Sequence, residues 1–137
     1  MHHLRPGNFI VAKGGNISNY KQYQHLHDLS AISEKNPEIA TAIGQDYLIK
    51  PDIIVSRKPE TDQSINRLFH VISPTEESWT PLRIANNQKE ILHATISCKY
   101  TIRSDRAQNA RSEALNVIRN RKGHSPHIVV ITAEPMP

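Results

Sequence analysis

Four side chains in this 137-residue sequence could do chemistry together: Asp52, Ser97, Lys99 and Glu113. Asp52 directly follows Pro51 at the edge of a β-favouring run. Ser97 and Lys99 stand two apart in a segment with strand character, so both side chains emerge on one face. Glu113 comes fourteen residues after Lys99, far enough for a following helix to carry it back towards that strand. Two carboxylates can hold a hard divalent cation, and an ammonium can orient an attacking water and offset charge on a phosphoryl group. The chemistry this implies is metal-assisted hydrolysis of a phosphodiester. Taken singly, each residue has a plainer reading. Asp52 would be a turn residue at a strand edge, Lys99 a solvated lysine, and Glu113 a surface partner on its helix.

The elements that must position these groups follow from periodicity. Ile91 to Ile102 alternates as a strand, with Thr95, Ser97 and Lys99 on one face and Ala94, Ile96 and Cys98 on the other. Ser104 or Asp105 can cap a helix from about Arg106 to Arg121. Its apolar stripe is Ala107, Ala110, Ala114, Val117 and Ile118, and Lys122-Gly123 ends it. His127 to Thr132 is a continuous apolar run that predicts a buried strand. Strand, helix, strand in this order predicts a right-handed crossover onto a partly parallel sheet.

Upstream, residues 1–16 carry Pro6-Gly7 and Gly14-Gly15 and predict a loop. Tyr23, Leu26, Leu29 and Ile32 recur along a helix from Ser18 to about Lys35. Pro37 to Ile43, closed by Gly44, predicts a short second helix. Tyr47 to Ile49 and Ile53 to Val55 predict a strand interrupted or edged at Pro51. Residues 56–66 predict a loop, Arg67 to Ile72 a further strand, and Trp79 to Asn87 fits a helix or a loop.

Composition narrows the function classes. Formal net charge is +4, which is compatible with a polyanionic partner without demanding one. Cys98 is the only cysteine, so no internal disulfide can form and a reducing setting fits. No apolar run reaches the length of a membrane span and no signal peptide opens the chain, so a cytoplasmic protein is expected. His25 and His27 do not share a helix face, and neither they nor His2-His3 have a cysteine partner for zinc. The aromatic residues are too sparse for a base-stacking platform. Arg119 to Lys122 fits a solvated helix end.

Pro51-Asp52, Ser97-Cys98-Lys99, Arg103-Ser104-Asp105-Arg106 and Glu113, at these separations, closely resemble the NgoMIV type of restriction endonuclease. This is a group of the PD-(D/E)XK nuclease superfamily that recognises CCGG. In it the second acid has moved from the strand to the next helix, and serine fills the vacated place. The 46 residues between Asp52 and Lys99, and the 13 between Lys99 and Glu113, look like the family's spacing. Tyr47 to Val55, Ile118 to Gly123 and His127 to Glu134 match as well.

The resemblance implies an α/β fold with a restriction-endonuclease-like core, a central mixed β-sheet flanked by helices. It implies a Mg²⁺ cofactor held by Asp52 and Glu113, with the Cys98 main-chain carbonyl as a further ligand. Lys99 would orient or help deprotonate the attacking water, and Ser97 would line the site. Arg103 and Arg106 would donate to guanine, and Asp105 would accept from cytosine. The implied substrate is double-stranded DNA at a CCGG-containing palindrome, GCCGGC, cut to leave 5′ extensions. A homodimer or homotetramer would act on it. The family also has a glutamate upstream of where this chain begins and a segment beyond its last residues. Residues 1–137 are therefore expected to be a single, incomplete catalytic domain, a fragment of a longer protein. Two other readings stay open: a non-catalytic DNA-binding remnant, and a repair or recombination nuclease on the same core.

Overall fold

The computed structural model describes residues 7–36, 38, 41, 49–73, 79–101 and 104–134, without the side chains of Ser104 and Arg106. Among the described residues the elements run as strand β1 (Phe9–Lys13), helix α1 (Gln24–Lys35) and strand β2 (Ile53–Arg57). A single-turn helix α2 (Asp62–Ile65), strand β3 (Ile91–Thr101), helix α3 (Ser104–Arg119) and strand β4 (His127–Glu134) follow. The strands form one sheet in the order β1-β2-β3-β4. β1 pairs antiparallel with β2, and β2 antiparallel with β3. β3 pairs parallel with β4 across the α3 connection. The sheet is mixed and flanked by helices, an α/β fold of the restriction-endonuclease kind.

The core forms where both long helices meet the sheet. Tyr23, Leu26, Ile54, Leu92 and Val117 are buried in one cluster with Ile17 and Ile49. Two polar side chains fix this junction. The Tyr23 hydroxyl donates to the Val117 carbonyl at 2.7 Å, binding the entry to α1 to the last turn of α3. Burial raises the Tyr23 pKa to about 12, so the phenol keeps its proton. The Gln22 amide clasps the Leu92 backbone, accepting from its N–H at 2.9 Å and donating to its carbonyl at 2.8 Å. Each of these buried bonds contributes about 1 kcal/mol.

Several expectations need correction. The segment 1–16 contains β1, which the flanking glycines disguise. The helix from Ser18 begins instead as two 3₁₀ turns, Ile17–Asn19 and Lys21–Tyr23, before α1. Tyr23 and Leu26 are buried, but Ile32 is exposed. Steps of three fall about 60° short of a full turn each time, so the stripe winds off the buried face. Residues 56–66 are not all loop, since β2 continues to Arg57 and α2 opens at Asp62.

Arg67 to Ile72 is no strand. Asn66 accepts at 2.9 Å from each of the Val71 and Ile72 N–H groups and donates to the Ile72 carbonyl at 2.6 Å, taking bonds that a ladder would use. Residues 79–87 form turns, pinned by the Arg83 guanidinium on Asp62 at 2.6 and 2.8 Å. β4 exists at its expected place but is largely exposed, with Ile131 at 48%. It ends the sheet, and among the described residues no strand pairs on its far side. Of the expected helix at Pro37–Ile43 only Glu38 and Thr41 are described, both helical, and the Tyr47-Leu48 strand segment lies outside the described residues. No helix among the described residues is long and apolar enough to cross a membrane.

Candidate active site

Pro51 is buried and has no N–H to give, so the β2 ladder starts only after it, at Ile53. Asp52 falls in the gap between the proline and the ladder, with its side chain half exposed. Its backbone is held from one side by Gly14, whose N–H donates to the Asp52 carbonyl at 2.7 Å. Gly14 has φ +67°, a left-handed conformation that glycine adopts without strain as β1 ends. The carboxylate is held from the other side, where the Cys98 N–H donates to Asp52 Oδ2 at 2.7 Å.

Lys99 reaches the same oxygen. Its Nζ lies 3.7 Å from Asp52 Oδ2, with the lysine side chain 28% exposed. A pair so open to water adds under about 1 kcal/mol to stability. Its consequence is local: an ammonium and a carboxylate share one small volume at one end of the two central strands, β2 and β3. Among the described residues the bonds to this carboxylate fall on Oδ2, leaving Oδ1 for another partner.

Ser97 and Lys99 occupy one side of β3, while the Cys98 side chain is exposed. The β2–β3 register pairs Ile53 with Ile96, which carries Asp52 to the place facing Ser97. Ser97 is buried, and its hydroxyl donates to Glu113 Oε2 at 3.1 Å. Glu113 stands three residues after Ala110 and four before Val117, both buried. The carboxylate therefore projects from the apolar stripe that packs α3 against β3.

Asp52, Ser97, the Cys98 backbone, Lys99 and Glu113 are thus gathered along one stretch of β3. Asp105 is exposed in the first turn of α3, eight residues and about 12 Å along the helix from Glu113. Arg103 and the side chain of Arg106 lie outside the described residues. His25 is not brought to a third ligand; among the described residues no group of three or more His, Cys, Asp or Glu collects. Sequence reading missed Gly14, which it placed in a loop. The one available signal was the Gly14-Gly15 pair directly after the apolar run Phe9 to Ala12, the place where a strand stops.

A mixed sheet whose strand presents serine and lysine beside an aspartate, with a glutamate supplied by the crossover helix, defines a restriction-endonuclease-like α/β protein. The model of the NgoMIV restriction enzyme family matches residues 1–137, and the chain belongs to that family. It is 51% identical over 142 residues to the type II restriction enzyme NgoMIV of Neisseria gonorrhoeae. That alignment covers 100% of this chain and 50% of the relative, so the chain spans about half the length of the curated protein it matches.

Proposed function

We propose that residues 1–137 carry the catalytic and base-reading part of a type II restriction endonuclease that hydrolyses duplex DNA at a CCGG-containing palindrome, GCCGGC. The observation that carries this reading is the Asp52 carboxylate, set by the Cys98 N–H at 2.7 Å, with Lys99 Nζ at 3.7 Å and the Ser97–Glu113 pair beside it.

The donor set fits Mg²⁺. Two carboxylates supply hard oxygen, and among the described residues Asp52 keeps Oδ1 for a further partner and no thiolate or imidazole cluster competes. Asp52 and Glu113 would hold the ion, with the Cys98 carbonyl as a further oxygen. When bound, Mg²⁺ supplies positive charge to the scissile phosphate and acidifies a water. The protein's own part is positioning. Lys99 holds the attacking water by hydrogen bond and offsets charge as the water oxygen bonds to phosphorus and the bond to the leaving sugar oxygen breaks. Ser97 holds the Glu113 carboxylate in one orientation.

Base reading belongs to the start of the same helix. Arg103 and Arg106 would fork onto guanine O6 and N7, and Asp105 would accept from cytosine N4. Reader and metal ligand then share α3, so docking on the right bases sets Glu113. Cutting both strands of a palindrome calls for a two-fold assembly, a homodimer or a pair of dimers. Products with 5′ extensions and a cytoplasmic setting complete the reading.

The test is digestion of paired plasmids carrying GCCGGC or a scrambled site, with and without Mg²⁺. Cutting confined to the intact site with Mg²⁺ supports the reading. Site-selective retardation without cutting would favour a DNA-binding remnant instead.

A further inference from the structure

The other end of the sheet holds a second concentration of functional groups. Ile91 opens β3, six residues before Ser97, so this end lies about 20 Å from the Asp52–Lys99 pair. A cavity of about 420 Å³ opens there between the entry to α1 and the segment that leaves α3. Lys21 and His25 line one wall, Lys122 and His124 the other, with Pro81 and Ile91 as apolar lining. The walls are tied together. The Lys122 N–H donates to the Gln22 carbonyl at 2.9 Å and the Lys21 N–H to the Glu90 carbonyl at 2.9 Å, while Gln22 clasps Leu92. Gly123, with φ +99°, lets the chain turn along the rim.

The electrostatics of this cavity are one-sided. Two lysines and two histidines face a single acid, Asp28. His25 Nδ1 is buried and has no hydrogen-bond partner among the described residues. Burial first, and then the Lys122 charge, lower the His25 pKa, with Asp28 opposing them. The first turn of α1 carries no acidic residue and its N-cap, Tyr23, makes no side-chain capping bond, so nothing in that turn offsets the positive end of the helix. A cationic or neutral ligand would leave these charges unanswered.

We propose that this cavity is a binding site for a phosphate group, separate from the catalytic centre. Lys122 and Lys21 supply charge from opposite walls, His25 and His124 supply ring donors, and several convergent donors suit a tetrahedral oxyanion better than a planar carboxylate. The phosphate comes either from the backbone of DNA flanking the cut site or from a small phosphorylated molecule. The phosphate site rests on the cavity alone, while its DNA source rests on the nuclease reading.

The experiment is an NMR titration of the full chain, following the His25 and His124 ring signals and the Lys122 and Gly123 amides. One arm uses inorganic phosphate against sodium chloride at matched ionic strength. A second uses a short duplex lacking CCGG. Phosphate is expected to shift these signals and raise the His25 pKa. The exposed-residue variants Lys122→Met and His124→Ala should each weaken binding about tenfold, the loss of one charge-assisted hydrogen bond. Lys58→Met, elsewhere on the surface, should leave it unchanged. Matching shifts with the duplex assign the phosphate to DNA; shifts with phosphate alone assign it to a small ligand. Absence of shifts in both arms, or equal weakening in Lys58→Met, would overturn the proposal.

Discussion

Ser97 on β3 and Glu113 on α3, sixteen residues apart in sequence, are joined by a 3.1 Å hydrogen bond from the Ser97 hydroxyl to Glu113 Oε2. A carboxylate on an apolar helix stripe is thereby fixed against the strand that carries Lys99. Replacing Glu113 by Gln keeps the size and an acceptor but removes the charge. Stability should change by less than about 1 kcal/mol, while Mg²⁺-dependent cleavage should fall by about a hundredfold or more. Ser97→Ala should cost about tenfold, as loss of an orienting partner does. Single-turnover cleavage beside urea unfolding of each variant separates the two effects.

The base-reading assignment predicts a selective loss. Arg106→Ala should weaken binding to a CCGG duplex by about 1–3 kcal/mol, the usual worth of a bidentate guanine contact. Binding to unrelated DNA should change much less. Gel retardation on both duplexes checks this, and an equal loss on both would show that Arg106 meets only phosphate.

His93 predicts how stability responds to mild acid. Its ring lies between Phe9 at 4.8 Å and His127 at 5.1 Å, and burial, then the charges of His127, Arg57 and His124, lower its pKa below the ordinary 6.5. The unfolded chain takes up this proton first as pH falls. Stability is therefore unaffected by His93 above 6.5, drops below it, and levels off once the folded pKa is passed. His25 acts in the same sense. Urea midpoints between about pH 7.5 and 5.5 should fall, and His93→Phe, which keeps a ring between its neighbours, should flatten the slope.

Asp62 governs a lower window. Hydrogen bonding to Arg83 holds its pKa below the ordinary 3.8. The ionised form is favoured by folding, so its contribution is complete above 3.8 and lost as pH falls through the lowered value. Asp62→Asn should weaken the tie between α2 and the 79–87 turns and remove that part of the acid response. Thermal unfolding across the acid range reads both.

The sequence revealed local elements whose periodicity extends over many residues and concealed those made by distant partners. β3 and α3 were legible because eleven and sixteen residues sustain their patterns. β1 was not, since its five residues become a strand only by pairing with β2 some forty residues later. The apolar run of β4 marked a strand correctly but not its exposure, which depends on its place at the end of the sheet. At the site, the alternation of β3 put Ser97 and Lys99 together, and the family resemblance singled out Glu113. The tie from Gly14 to the Asp52 carbonyl, a backbone contact between distant segments, has no sequence signature.

The most direct test concerns Lys99, whose ammonium lies 3.7 Å from Asp52 Oδ2. Lys99→Ala should bind a GCCGGC duplex as tightly as the unaltered chain and yet lose Mg²⁺-dependent cleavage under single-turnover conditions. Undiminished cutting by that variant would contradict the assignment of this cluster as the hydrolytic site.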